Sequence, residues 1–194
     1  MPDSLRLFVA VELPGEVREA LSRLQHDLQC RGLEKLRWVR PEGIHLTLKF
    51  LGKTPSERVG AIEAALAEAS GGATRHTLYI GRLGGFGSRQ RPRVLWVDLT
   101  GELPQLTTLQ EQIEKSLDEI GFPPKGRPFA PHLTLARVRP ETALDIRADM
   151  GAAIEEVKPP PLPIPVDDVS LMRSTLRPSG AVYDRLAAFP LGGA

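Results

Sequence analysis

The chain has 194 residues, with 25 basic and 24 acidic side chains and a net charge of +1. This length suits one domain or two small lobes, and the charge balance excludes a uniformly basic nucleic-acid coat and an acidic disordered tail. A single cysteine, Cys30, excludes an internal disulfide, and no CxxC or HExxH spacing marks a zinc site. The first apolar run, 7–11, closes at Glu12 and is too short for a signal core or a membrane span. The expectation is a cytoplasmic protein, monomeric by default, that does not engage membranes.

The elements follow in chain order. Residues 7–11 read as a strand, and Val17, Leu21, Leu24 and Leu28 then repeat on one helical face. Trp38-Val39 reads as a short strand, and 45–51 as a longer one. Thr54-Pro55-Ser56-Glu57 predicts a capping box with Thr54 as the cap. The helix it opens turns Val59, Ile62, Leu66 and Ala69 inward and stops at Gly71-Gly72. A strand at 77–80 leads into a basic, glycine-rich stretch. From Arg75 to Val97 it holds Arg75, Arg82, Arg89, Arg91 and Arg93 and no acid, with Phe86 among its glycines. It reads as a flexible loop suited to tracking an RNA backbone, or as a plain solvated hairpin. Without a Gly-Lys-Ser/Thr ending it is not an ATP-binding P-loop.

The second half reads as a strand at 94–99, then a helix carrying Leu106, Leu109, Ile113, Leu117 and Ile120. A strand follows at 132–138, then a helix carrying Ile146, Met150, Ile154 and Val157. The proline-rich run 159–165 predicts a stiff extended spacer, with strands after it at 166–172 and 182–189. Trp38 and Trp96 are expected in the core, His76 at an exposed strand edge, and His26 on a helix surface. Arg173 and Arg177 are expected on a positive rim.

The order strand, helix, strand, helix, strand occurs twice. Val11 and Val97 stand 86 residues apart, and His45 and His132 stand 87 apart. The expected organisation is one bilobal domain over 1–194. It comprises two pseudo-symmetric repeats, about 5–90 and 91–176, with a C-terminal strand at 181–190. His-Leu-Thr-Leu occurs once in each repeat, at 45–48 and 132–135. On a strand the His and Thr share one face and the two Leu share the other. Two such strands meeting about a pseudo-twofold axis form a cleft with two imidazoles and two hydroxyls. That set suits phosphodiester cleavage: one neutral imidazole takes a proton from water and one imidazolium gives a proton to the leaving oxygen. The hydroxyls hold phosphoryl oxygens, and no metal or other cofactor is called for. Lys49, Lys53, Arg137 and Arg139 are expected to make this cleft basic, while the acids gather on the helices.

These motifs, with the flanking segments 5–11, 45–52, 92–97 and 131–137, resemble the 2H phosphoesterases. Within them the chain is most similar to the LigT-like RNA 2',3'-cyclic phosphodiesterases. The resemblance implies an α+β bilobal fold, with two antiparallel sheets facing a central cleft and helices outside. It implies opening of RNA terminal 2',3'-cyclic phosphates to 2'-phosphates, on partners such as tRNA fragments or small cyclic nucleotides. It assigns His45 as general acid, His132 as general base, and Thr47 and Thr134 as phosphate ligands. It also places Phe50 and Arg137 at the nucleoside site, Phe50 through the base and Arg137 through base or phosphate. Strict alternation puts both of these on the face away from the histidines, so a bulge or twist must re-aim them. Two alternatives stay open: a reversible 2'-5' RNA ligase or phosphodiesterase on another cyclic nucleotide, and a non-catalytic RNA-binding module.

Overall fold

The computed structural model describes residues 4–88, 91–124, 126, 128–142, 144–178 and 180–192. Its strands are β1 (Ser4–Glu12), β2 (Arg37–Trp38), β3 (His45–Pro55), β4 (His76–Ser88), β5 (Arg91–Gly101), β6 (His132–Arg137), β7 (Pro163–Val166), β8 (Asp168–Arg177) and β9 (Gly180–Pro190). Its helices are α1 (Gly15–Leu28), α2 (Val59–Gly71), α3 (Leu103–Glu119) and α4 (Arg147–Glu156). The strands form one sheet in the order β7-β4-β5-β6-β3-β1-β8-β9, with β2 also on β6. Every pairing is antiparallel. The two expected sheets are the two arms of this sheet, joined between β3 and β6 by the single pair Leu46–Leu133.

Each arm takes its last strand from across the chain. β4 pairs with β5, and β8 pairs with β1. The helices cover one face of the sheet. Leu7, Val9 and Val11 of β1, Leu95 and Val97 of β5, and Leu133 and Leu135 of β6 join Leu21, Leu66, Leu109 and Met150 in the main core. The opposite face of β1 belongs to a separate small cluster of Phe8, Ala10 and Met172, with Tyr183 packed against it. β1 is therefore buried on both faces, and its helix-free face floors a cleft.

Three expectations change, and one open alternative is decided. Thr54 is not a cap: it is a buried strand residue paired with Leu5, because the β1–β3 ladder runs on to Ser4–Pro55. A 3₁₀ turn over 56–58 then leads into α2, which has no side-chain cap. The proline run is in part a strand, since β7 pairs with β4 from Tyr79–Pro163 to His76–Val166. Ile164 and Val166 point into the core while Pro163 and Pro165 stay exposed, as prolines can on an edge strand. That pairing buries His76, which was expected at an exposed edge; it is 5% exposed, with Nδ1 2.9 Å from the Thr74 carbonyl. Finally, the glycine-rich stretch is a hairpin of two long strands, β4 and β5. Its glycines permit close contact: a Cβ on Gly84 would lie 2.2 Å from the Trp96 ring. Arg89 lies outside the described residues.

Candidate active site

The Leu46–Leu133 pair organises the site. Antiparallel continuation sets His45 across from Thr134 and Thr47 across from His132. Both leucines point into the helix-covered core, at 1% and 0% exposure. The two histidines and two threonines therefore share the cleft face, and all four are half-buried. The histidines lie on the diagonal of this rung, where Cα atoms stand about 7–8 Å apart.

The same face receives Phe50 and Arg137, through matching irregularities. β1 pairs Ala10 with Thr47 and Val9 with Lys49, which leaves Leu48 as an extra residue. β5 pairs Trp96 with Thr134 and Leu95 with Ala136, which leaves Leu135 as the extra residue. Each bulge shifts the alternation by one. Phe50 then pairs with Phe8, and Arg137 with Val94, on the face of the histidines. Phe50 is 51% exposed, with its ring centroid 6.1 Å from that of Phe8.

The same bulge removes Lys49 from the cleft, where it was expected. It points toward α3, is 5% exposed, and pairs with the Glu114 carboxylate. Its ammonium also donates to the Pro123 carbonyl at 3.3 Å, while Gln110 Nε2 donates to Glu114 at 3.1 Å. Arg173 also turns away: it stands opposite Leu7 on the far face and pairs with Asp184 at 2.9 Å. Arg177 is exposed at the β8–β9 hairpin, paired with Gly180.

Each imidazole is held by backbone and by aromatic rings. His132 Nδ1 lies 2.7 Å from the Ala130 carbonyl. A carbonyl only accepts, so Nδ1 carries the proton and Nε2 is left for the cleft. The edge of Phe86 meets the His132 ring at 4.8 Å, and Trp96 lies at 6.3 Å. Trp96 was expected in the core; it is half-buried on the cleft face, across from Gly84. His45 stacks on Phe8 at 4.7 Å and meets Tyr183 edge-on at 5.0 Å. Tyr183 comes this close because Gly43 has no Cβ to obstruct it.

This apolar seat lowers the His45 pKa to about 4. Desolvation is the largest cause; the backbone hydrogen bond at Gly43 and the charge of Glu12 oppose it. The free imidazole of His45 is therefore neutral at pH 7. Glu12 stands directly across from His45, and Asp98 directly across from His132. Glu12 accepts from Ser170 Oγ at 3.0 Å and from Arg185 at 2.9 Å, while Asp98 accepts from the Arg82 backbone N–H. Burial raises the Asp168 carboxyl pKa, against the lowering pull of Arg185.

Sequence reasoning missed Phe8, Glu12 and Tyr183. Residues 7–11 read as unbroken apolar sequence, so nothing distinguishes Phe8 from core, and Tyr183 lies far along the chain. Among the described residues, no group of three or more His, Cys, Asp or Glu is placed to hold a metal. No helix among them is long and apolar enough to cross a membrane.

A duplicated sheet carrying a His-x-Thr strand in each arm is the architecture expected of a two-histidine phosphoesterase. The LigT-like phosphoesterase family model matches the chain twice, over residues 11–96 and 97–183, and the chain belongs to that family. It is 31% identical to an Archaeoglobus fulgidus protein named RNA 2',3'-cyclic phosphodiesterase, over 95% of this chain and 99% of that one. A Geobacillus stearothermophilus protein of the same name is also 31% identical over 96% of this chain, which spans only 57% of that relative's length. Among solved structures, the Thermus thermophilus protein TT0787 superposes with a TM-score of 0.77 at 31% identity, covering 97% of this chain and 99% of that one.

Proposed function

We propose that the protein opens terminal 2',3'-cyclic phosphates on RNA to 2'-phosphates, without a metal, by two-histidine acid–base catalysis. The observation that carries this reading is the single β3–β6 rung, which sets two His-Thr pairs on one face about a pseudo-twofold axis. The relatives' shared name, RNA 2',3'-cyclic phosphodiesterase, supports the substrate.

In this reading the Thr47 and Thr134 hydroxyls donate to the non-bridging phosphoryl oxygens. His132 Nε2, free because Nδ1 faces the Ala130 carbonyl, takes a proton from water. The water oxygen bonds to phosphorus, the bond from phosphorus to O3' breaks, and His45 gives its proton to O3'. The acid role needs a protonated His45, which the free site does not hold at pH 7. The phosphodiester brings a negative charge, and an opposite charge within ~4–6 Å raises an imidazole pKa by about 1–3 units. Substrate binding thus moves His45 toward its protonated state. ATP-independent 2'-5' joining uses the same groups in the same roles, with a 5'-hydroxyl in place of water, and cleavage of the 2'-5' linkage exchanges them. The cytoplasm is the proposed location, and the monomer the proposed state.

The test is incubation of a cyclic-phosphate oligonucleotide with the protein in EDTA, with the products resolved. A 2'-phosphate is the expected product. An unopened ring refutes the activity, and a 3'-phosphate refutes the role assignment. Binding that survives with no turnover in the wild type favours an RNA-binding module.

A further inference from the structure

β2 is only two residues long, and it places an arginine in an unusual position. Arg37 is the direct antiparallel partner of Arg137, so both side chains leave the sheet on the same face. That face is the cleft face, because the bulge at Leu135 turns Arg137 toward His132 and Thr134. Two like charges directly opposed on one sheet face repel each other. Other arginines of the molecule are neutralised: Arg185 by Glu12, Arg173 by Asp184, and Arg31 by Asp27 and Glu156. Arg37 and Arg137 are both exposed, and neither forms an ion pair with a carboxylate among the described residues. On its other side Arg137 meets Val94, which supplies no counter-charge.

An opposed, uncompensated arginine pair is stabilised by an anion between its two guanidinium forks, and phosphate oxygens match that geometry. Along β6 the cleft face reads His132, Thr134, Arg137. Arg137 is thus one side-chain step beyond the phosphate-facing threonine, roughly 7 Å along the strand. That step is comparable to the separation of neighbouring phosphates along an RNA chain.

We infer that Arg37 and Arg137 together form a second phosphate site, which takes the internucleotide phosphate next to the cyclic end. The inference rests on the functional reading above and extends it: the enzyme distinguishes an RNA end from a free cyclic mononucleotide. Arg37 is the informative residue, since among the described residues only its pairing with Arg137 ties it to the site.

The experiment compares a 2',3'-cyclic mononucleotide with a trinucleotide ending in the same cyclic phosphate, using wild type, Arg37→Gln and Arg37→Lys. In Arg37→Gln the ratio of kcat/KM for trinucleotide over mononucleotide falls about tenfold. The slope of log KM against log salt for the trinucleotide becomes shallower by ~0.7, the value for one phosphate contact on a single strand. Arg37→Lys keeps the salt slope and much of the ratio. An equal loss on both substrates, or no loss on either, overturns the second site. A wild type that opens neither substrate refutes the functional reading itself.

Discussion

The two half-sites carry the same tetrapeptide, the same one-residue bulge and a backbone contact two residues before the histidine, yet their surroundings differ. His45 sits on Phe8, in an apolar cluster with Ala10 and Met172, and Tyr183 closes over it. His132 is bounded by Phe86 and Trp96, which come from the β4–β5 hairpin. The rings come from positions that do not correspond: the β1–β3 register matches Trp96 to Ala10, not to Phe8. Behind the strands, Lys49 is a buried ion where its counterpart Ala136 is a methyl group. A duplicated scaffold can thus keep its reacting groups symmetric while their environments diverge, and the apolar seat of His45 lowers that imidazole's pKa.

The largest expected effect tests that divergence directly. His45→Ala and His132→Ala each lower kcat on a cyclic phosphate by ~10²–10⁴, the range of a lost acid or base. A diester with a 4-nitrophenolate leaving group needs no acid. On that substrate His45→Ala recovers most of its rate and His132→Ala does not, as steady-state assays will show. Equal recovery in both variants would make the half-sites interchangeable.

A second expected effect probes the buried ion. Glu114→Ala strands the Lys49 ammonium beneath β3 and costs about 3–5 kcal/mol of stability in urea unfolding. Replacing Lys49 and Glu114 together with methionine and leucine restores most of it. A Glu114→Ala loss below ~1 kcal/mol would show that water reaches the ammonium.

The smallest effect is in the pH dependence of stability. His45 has a folded pKa of about 4 against an ordinary value of 6.5. Above pH 6.5 neither state holds the proton, so the group contributes nothing. As pH falls from 6.5 to 4 the unfolded chain takes up the proton and the folded chain does not. Stability therefore falls, by about 3 kcal/mol at most. Urea titrations across that window show this slope in the wild type and lose it in His45→Gln. A slope that persists in the variant would assign it to other groups.

How much of this could be read from residues alone depends on the kind of feature. The His-x-Thr strands were legible because alternation is a local property, and duplication made the pattern specific. The faces of Phe50 and Arg137 were not, because a bulge is decided by the neighbouring strand's register and leaves only an ordinary leucine behind. Lys49 was misplaced into the cleft for the same reason. Trp96 looked like core because its strand alternates correctly, but which face meets helices depends on partners far along the chain. The proline run was read as a spacer because its pairing with β4 is non-local. Thr54 carried every mark of a cap, and the length of the β1 ladder overrode it.

The exchange of β4 and β8 between the two arms has a consequence for how the molecule holds together. A cut at the β4–β5 hairpin would separate two halves of similar length, yet neither piece would own a finished sheet. The first would lack β8 and β9 beside β1, and would carry β4 with no neighbour at all. The second would lack β4 between β5 and β7. The arms are interlocked in the manner of a strand-swapped dimer that a linker has made into one chain. Its two histidines can then face each other across a single rung only when the whole chain has folded.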